Sequence, residues 1–139
     1  MANIIQSMVL DKIGTPKFRA YLNLSSLKHK LTAGNISNVL TPGYRAREID
    51  FNGEYQRAIN ADKGLRPAVT HPRHIALSNS PDREPKIMES KTKYSNGINN
   101  VNIDKEMTDL AINQMSYTIS ARMIKDKFDS LRKAITGTR

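Results

Sequence analysis

Two histidines three positions apart, His71 and His74 in the stretch THPRHI, have the residue type and spacing that most invite chemistry in this chain. Imidazole is a common zinc ligand, but a zinc site takes three or four protein donors. Here Pro72 sets the spacing, no third donor stands nearby, and the chain has no cysteine. The pair reads as two exposed or hydrogen-bonded loop histidines, and no metal or cofactor is expected. Nucleophile-elbow and phosphate-loop signatures are missing: there is no G-x-S-x-G, no G-x-x-x-x-G-K-[ST] and no G-x-G-x-x-G. The carboxylates are scattered, or cluster at a helix start where the dipole accounts for them. Neither enzymatic activity nor a small-molecule substrate is expected.

Three polar residues invite a different chemistry. Asn35, Asn38 and Gln114 fall in or beside apolar stripes of helical period. They either sit at stripe edges and reach water, or bond across helices and fix register as a buried Asn does in coiled coils. Tyr117 offers a similar polar tip. Met107, Met115 and Met123 read as helix packing.

The elements that must position these residues are helices. Ala20, Leu24, Leu27, Leu31, Gly34 and Asn38 alternate steps of four and three, which predicts a helix from Pro16 to Val39 with one narrow seam. Thr15 is placed to cap it, with Pro16 at its first position. Pro42 then pushes Thr41 out of helical geometry, and Gly43 supplies the positive φ of a type II turn across Thr41, Pro42, Gly43 and Tyr44. Beyond it, Arg45, Arg47, Ile49 and Phe51 fall on one side of an extended segment. Ala46, Glu48 and Asp50 fall on the other.

Residues 52–100 are rich in Pro, Asn, Ser and Lys and read mostly as loop. A short helix fits Glu54 to Asn60, and AVTHPRHIALS suits a strand or turn. The last segment is the most regular. Ile103, Met107, Leu110, Gln114, Tyr117, Ala121, Ile124, Phe128, Leu131 and Ile135 hold the four–three alternation throughout. Asn102 is placed to cap this helix and Gly137 to end it. At 1.5 Å per residue the two helices reach about 36 Å and about 50 Å. The chain thus divides into an arm or short helix at 1–15, a helix at 16–40, a turn and loop-rich insert at 41–101, and a helix at 102–136.

Composition agrees with an elongated, thinly cored shape. Of 139 residues 38% are hydrophobic, with no Trp and three Phe, and mean hydropathy is -0.55. The expected class is mainly α: two long antiparallel coiled-coil-like helices with an irregular, partly extended middle. The net charge of +9 raises nucleic acid as a partner. It is spread as +4, +3 and +2 over residues 1–50, 51–100 and 101–139, with no basic run. No nucleic-acid partner is expected; a basic helical nucleic-acid-binding protein or a helical adaptor is the alternative reading. The start MANIIQSMVLDKIG lacks a basic n-region and does not look like a cleavable signal.

A seam of large apolar residues left wet is a liability, since each contributes about 1.5–3 kcal/mol on burial. The first helix is too short to cover the second, so other protein chains are expected to cover the remainder. The expected assembly residues are Leu24, Leu27, Leu31, Asn35 and Asn38 on the first helix. On the last they are Met107, Leu110, Gln114, Tyr117, Ile124, Phe128 and Leu131.

The stretch NISNVLTPGYRAREIDF, Asn35 to Phe51, resembles the N-terminal motif of the bacterial flagellar rod and hook axial proteins, N-I-A-N-x-x-T-P-G-Y-[KR]. Ser37 stands where that family has Ala, and Val39-Leu40 replaces a more polar pair. The continuation to Phe51, the THPRHI stretch and the segment Asn99 to Ile135, with its Asn113-Gln114 pair and Tyr117, are similar to the proximal rod type within it. The resemblance implies a structural subunit of the flagellar basal body, exported unfolded through the flagellar type III apparatus and assembled in the periplasm. It implies other rod proteins, the rod–ring adaptor and the membrane-embedded ring protein as partners. It also implies that the terminal helices pair and pack with neighbouring subunits, the TPGY turn redirecting the chain outward.

Overall fold

The computed structural model describes residues 14–61 and 84–137. His71, His74 and the AVTHPRHIALS stretch lie outside the described residues, as do residues 1–13. Three helices and a two-stranded ribbon make up the described part: α1 (Thr15–Ser37), β1 (Arg47–Ile49), α2 (Phe51–Ala61), β2 (Ile87–Glu89) and α3 (Ile103–Thr136).

α1 starts one residue earlier than its sequence suggests. Gly14, at φ 80°, is the N-cap, and its carbonyl accepts from Lys17 N (3.1 Å) and Phe18 N (3.3 Å). Thr15 makes no capping bond, and its hydroxyl is buried without a partner. The helix also ends early, at Ser37 rather than Val39. It unwinds through tighter bonds from Asn38 N to Asn35 O (3.1 Å) and from Val39 N to Ile36 O (3.2 Å). The turn that follows is the expected one: Gly43 has φ 71°, and Tyr44 N donates to Thr41 O at 3.3 Å.

β1 is shorter than the extended segment read from sequence. It pairs antiparallel with β2, Arg47 opposite Glu89, Glu48 opposite Met88 and Ile49 opposite Ile87. Phe51 does not continue the strand but opens α2, because Asp50 is a strong cap. Its carboxylate accepts from Gly53 N (3.0 Å) and its carbonyl from Glu54 N (2.9 Å). A Cβ at residue 53 would collide with that carboxylate, which suits Gly there. α2 docks on α1 through Tyr21, Phe51 and Tyr55, with Tyr21 edge-on to both partners at 5.2 and 5.7 Å between centroids. Buried Glu54 ties the returning chain to α2: it pairs with Arg57 at 2.8 Å and accepts from Lys86 N at 3.2 Å.

α3 is capped as read, Asn102 accepting from Lys105 N (3.1 Å) and Gly137 ending it at φ 66°. It runs antiparallel to α1. Lys127 lies 5.3 Å from the Phe18 ring centroid, Asn113 donates to Ser25 O at 2.9 Å, and Lys28 stands 3.6 Å from Asp109. Positions thus rise along one helix as they fall along the other. The fold class is mainly α, with the N- and C-terminal helices packed together. With 23 residues against 34, α1 covers only part of α3. Among the described residues no helix is long and apolar enough to cross a membrane.

Candidate functional site

The interior between these elements is mostly polar. The buried apolar side chains among the described residues are Leu24, Ala46 and Val101. Buried beside them are Ser25, Thr32, Asn35, Glu54, Asn99, Glu106 and Asn113. Two asparagine centres organise this interior.

Asn35 is the first, 2% exposed. Its Nδ2 donates to Arg47 O (2.9 Å), and its Oδ1 accepts from Arg47 N (2.9 Å) and from the Tyr44 hydroxyl (3.1 Å). One amide therefore mimics a strand partner for β1 and anchors the last residue of the turn. It also bonds the carboxyl of Glu106 on α3. Burial pushes the Glu106 carboxyl up from its ordinary value, and the Asn35 bond pulls it down. Of the nearby charges, Lys105 acts with Asn35, while Asp109 and Glu48 act with burial.

The second centre is the loop from Asn96 to Asn100. Asn99 Nδ2 donates to the carbonyls of Asn38 (3.0 Å), Val39 (2.9 Å) and Thr41 (3.1 Å), in the stretch where the chain leaves α1. Asn99 Oδ1 accepts from Val101 N (2.9 Å), Gly43 N donates to Ile98 O (3.2 Å), and Asn100 Oδ1 accepts from Ala46 N (2.7 Å). The chain just before α3 thus cements the turn just after α1.

The surface is the reverse of this interior. On the last helix Met107, Gln114, Tyr117 and Phe128 are exposed, while Leu110, Ile124 and Leu131 are half-buried. The face turned to α1 also takes in polar residues that the expected seam left out, buried Glu106 and Asn113 and half-buried Ser116 and Ser120, beside Leu110, Ile124 and Leu131 of that seam. Met107, Met115 and Met123 do not fill a core; they are 52%, 67% and 49% exposed. A second stripe, Ile112, Met115, Ile119 and Met123, stands open on the other flank. On α1, Leu24 and Asn35 are buried, and Leu27, Leu31 and Asn38 half-buried. Asn38 bonds within its own helix, to Gly34 O at 2.8 Å. Thr41, Pro42 and Gly43 are exposed and Tyr44 is half-buried. The bond across the helices comes from Asn113, not Gln114.

Sequence reasoning missed Asn96, Asn99, Asn100 and Asn113, and the outer stripe. The stripe was readable as steps of three, four and four. The crowding of amides in SNGINNVN was the signal for the loop.

No protein-family model matches the chain. Similar proteins include the flagellar basal body rod protein FlgB of Bacillus subtilis (strain 168), 32% identical over 117 residues that span 84% of this chain and 88% of that protein. FlgB of Yersinia ruckeri is 31% identical over 137 residues, 90% of this chain and 99% of that protein. FlgB of Aquifex aeolicus (strain VF5) is 25% identical over 129 residues, 89% and 94% respectively.

Proposed function

The chain belongs to the flagellar basal body rod protein FlgB family, and from that premise we propose that it is a non-enzymatic building block of the proximal rod that transmits motor torque. Its place is the periplasm, reached through the flagellar type III export apparatus. Its partners are further copies or other rod proteins, the rod–ring adaptor and the membrane-embedded ring protein.

One observation carries the reading. α3 half-buries Leu110, Ile124 and Leu131 but leaves many of its large apolar residues outside: Ile112, Met115, Ile119 and Met123 on one flank, Met107, Tyr117 and Phe128 on the other. Contiguous exposed apolar residues of this kind mark protein contact surfaces. Transmission of torque needs subunits that cannot slip, and interdigitated apolar helix faces resist slipping because core-like packing transmits strain.

Ile119→Asp and Phe128→Asp test this. Both sites are open in the single chain, 52% and 40% exposed, so the variants fold and are exported. The expected outcome is loss of rod assembly and motility with export of the variant retained. Normal swimming by both strains would sink the reading.

A further inference from the structure

Asn-Gly occurs twice in the chain, at Asn52-Gly53 and Asn96-Gly97. This dipeptide is prone to lose its side-chain amide, because glycine places no Cβ in the way of the backbone nitrogen that attacks it. The two copies stand in opposite settings. Asn52 lies in the first turn of α2, where helical backbone angles hold the next nitrogen away from the side chain. The nitrogen that follows is hydrogen-bonded at both sites, Gly53 N to the Asp50 carboxylate at 3.0 Å, so what separates them is the backbone. Asn96 is exposed in a loop, Gly97 has φ 87°, and Gly97 N donates to the Ser95 hydroxyl at 3.2 Å.

We propose that Asn96 is a spontaneous deamidation site, and that its conversion loosens the clamp on the end of α1. The Gly97 nitrogen gives up its proton to hydroxide and adds to Cγ of Asn96. The new C–N bond forms as the Cγ–Nδ2 bond breaks, and Nδ2 leaves as ammonia with a proton from water. Water then opens the five-membered imide at either carbonyl, leaving aspartate or isoaspartate. The sum is amide plus water to acid plus ammonia, and no electrons change hands.

The lost amide has specific work. Asn96 Nδ2 faces Val39 O at 3.3 Å, Asn99 Oδ1 at 3.2 Å and Val101 O at 3.5 Å. A carboxylate there meets three acceptors with no hydrogen to give. Asn96 Oδ1 also accepts from Ile98 N (2.9 Å) and Asn99 N (2.7 Å), which hold the loop in the shape that aims Asn99 at α1. Isoaspartate adds a backbone atom to that loop and spoils the aim.

The test uses the purified full-length protein, held in mildly alkaline buffer and followed by peptide mapping and mass spectrometry. Asn96 should convert several-fold faster than Asn52. The converted fraction, separated by ion exchange through its extra negative charge, should melt about 5 °C lower than intact protein. Asn96→Asp should reproduce that shift without ageing. Retention of the Asn96 amide, or a converted fraction that melts with the intact protein, overturns the proposal.

Discussion

At the residue scale the fold rests on amides where a globular domain would place aliphatic carbon. Asn35 serves a strand, a turn and a helix with one side chain, and Glu106 shares its site. The fold raises the Glu106 carboxyl above its ordinary value, so it favours the protonated form. The stability this group contributes is present below the ordinary carboxylate value and is lost as pH rises through the raised one. Ionised Glu106 is therefore a cost at neutral pH. Glu106→Gln keeps the shape, so it should raise Tm at pH 7, and the gain should vanish below about pH 4. Thermal melts across that range check it; an equal gain at both ends would contradict it. None of this was legible in the sequence beyond Asn35 itself. Composition marks polar residues as exterior, and only the structure shows which of them are sealed against water.

At the element scale the helices, their caps at Asn102 and Gly137, and the turn at Thr41–Tyr44 were readable, because each follows from local sterics. Where reading failed, the information was not local. Phe51 joined α2 because the Asp50 cap outweighed the alternating pattern. β2 stayed hidden because its three residues are a strand only beside β1. On α3 the expected seam positions Leu110, Ile124 and Leu131 are half-buried, but the polar residues sealed beside them, Glu106 and Asn113, were missed, since apolar period does not mark buried polar positions. The turn supports a direct test. Gly43 has open space around it, so a side chain there meets only backbone strain at φ 71°. Gly43→Val should cost roughly 1–2 kcal/mol and displace Gly43 N from Ile98 O. Lower Tm and impaired motility are expected, and an unchanged melt would count against a left-handed residue 43.

At the scale of the whole molecule, the single chain is underfilled. Among the described residues few apolar side chains are sealed, and α3 runs well past the start of α1 with Ile135 76% exposed. Little hydrophobic stabilisation is realised among the described residues of one copy, and in the proposed assembly binding of neighbours supplies the rest by mass action. The purified protein should melt broadly, with helix content that rises with protein concentration. Circular dichroism over a dilution series checks this; a sharp, concentration-independent melt would contradict it.

The clamp of Asn99 on Asn38 O bridges 61 positions of sequence. Closing so wide a loop is an entropic debt settled only when both ends are present. Under the export route proposed above, in which the polypeptide is threaded head first through a narrow conduit, this imposes a timetable. The early helix stays without its lid until the late asparagine emerges, so premature folding is discouraged by the order in which the pieces arrive.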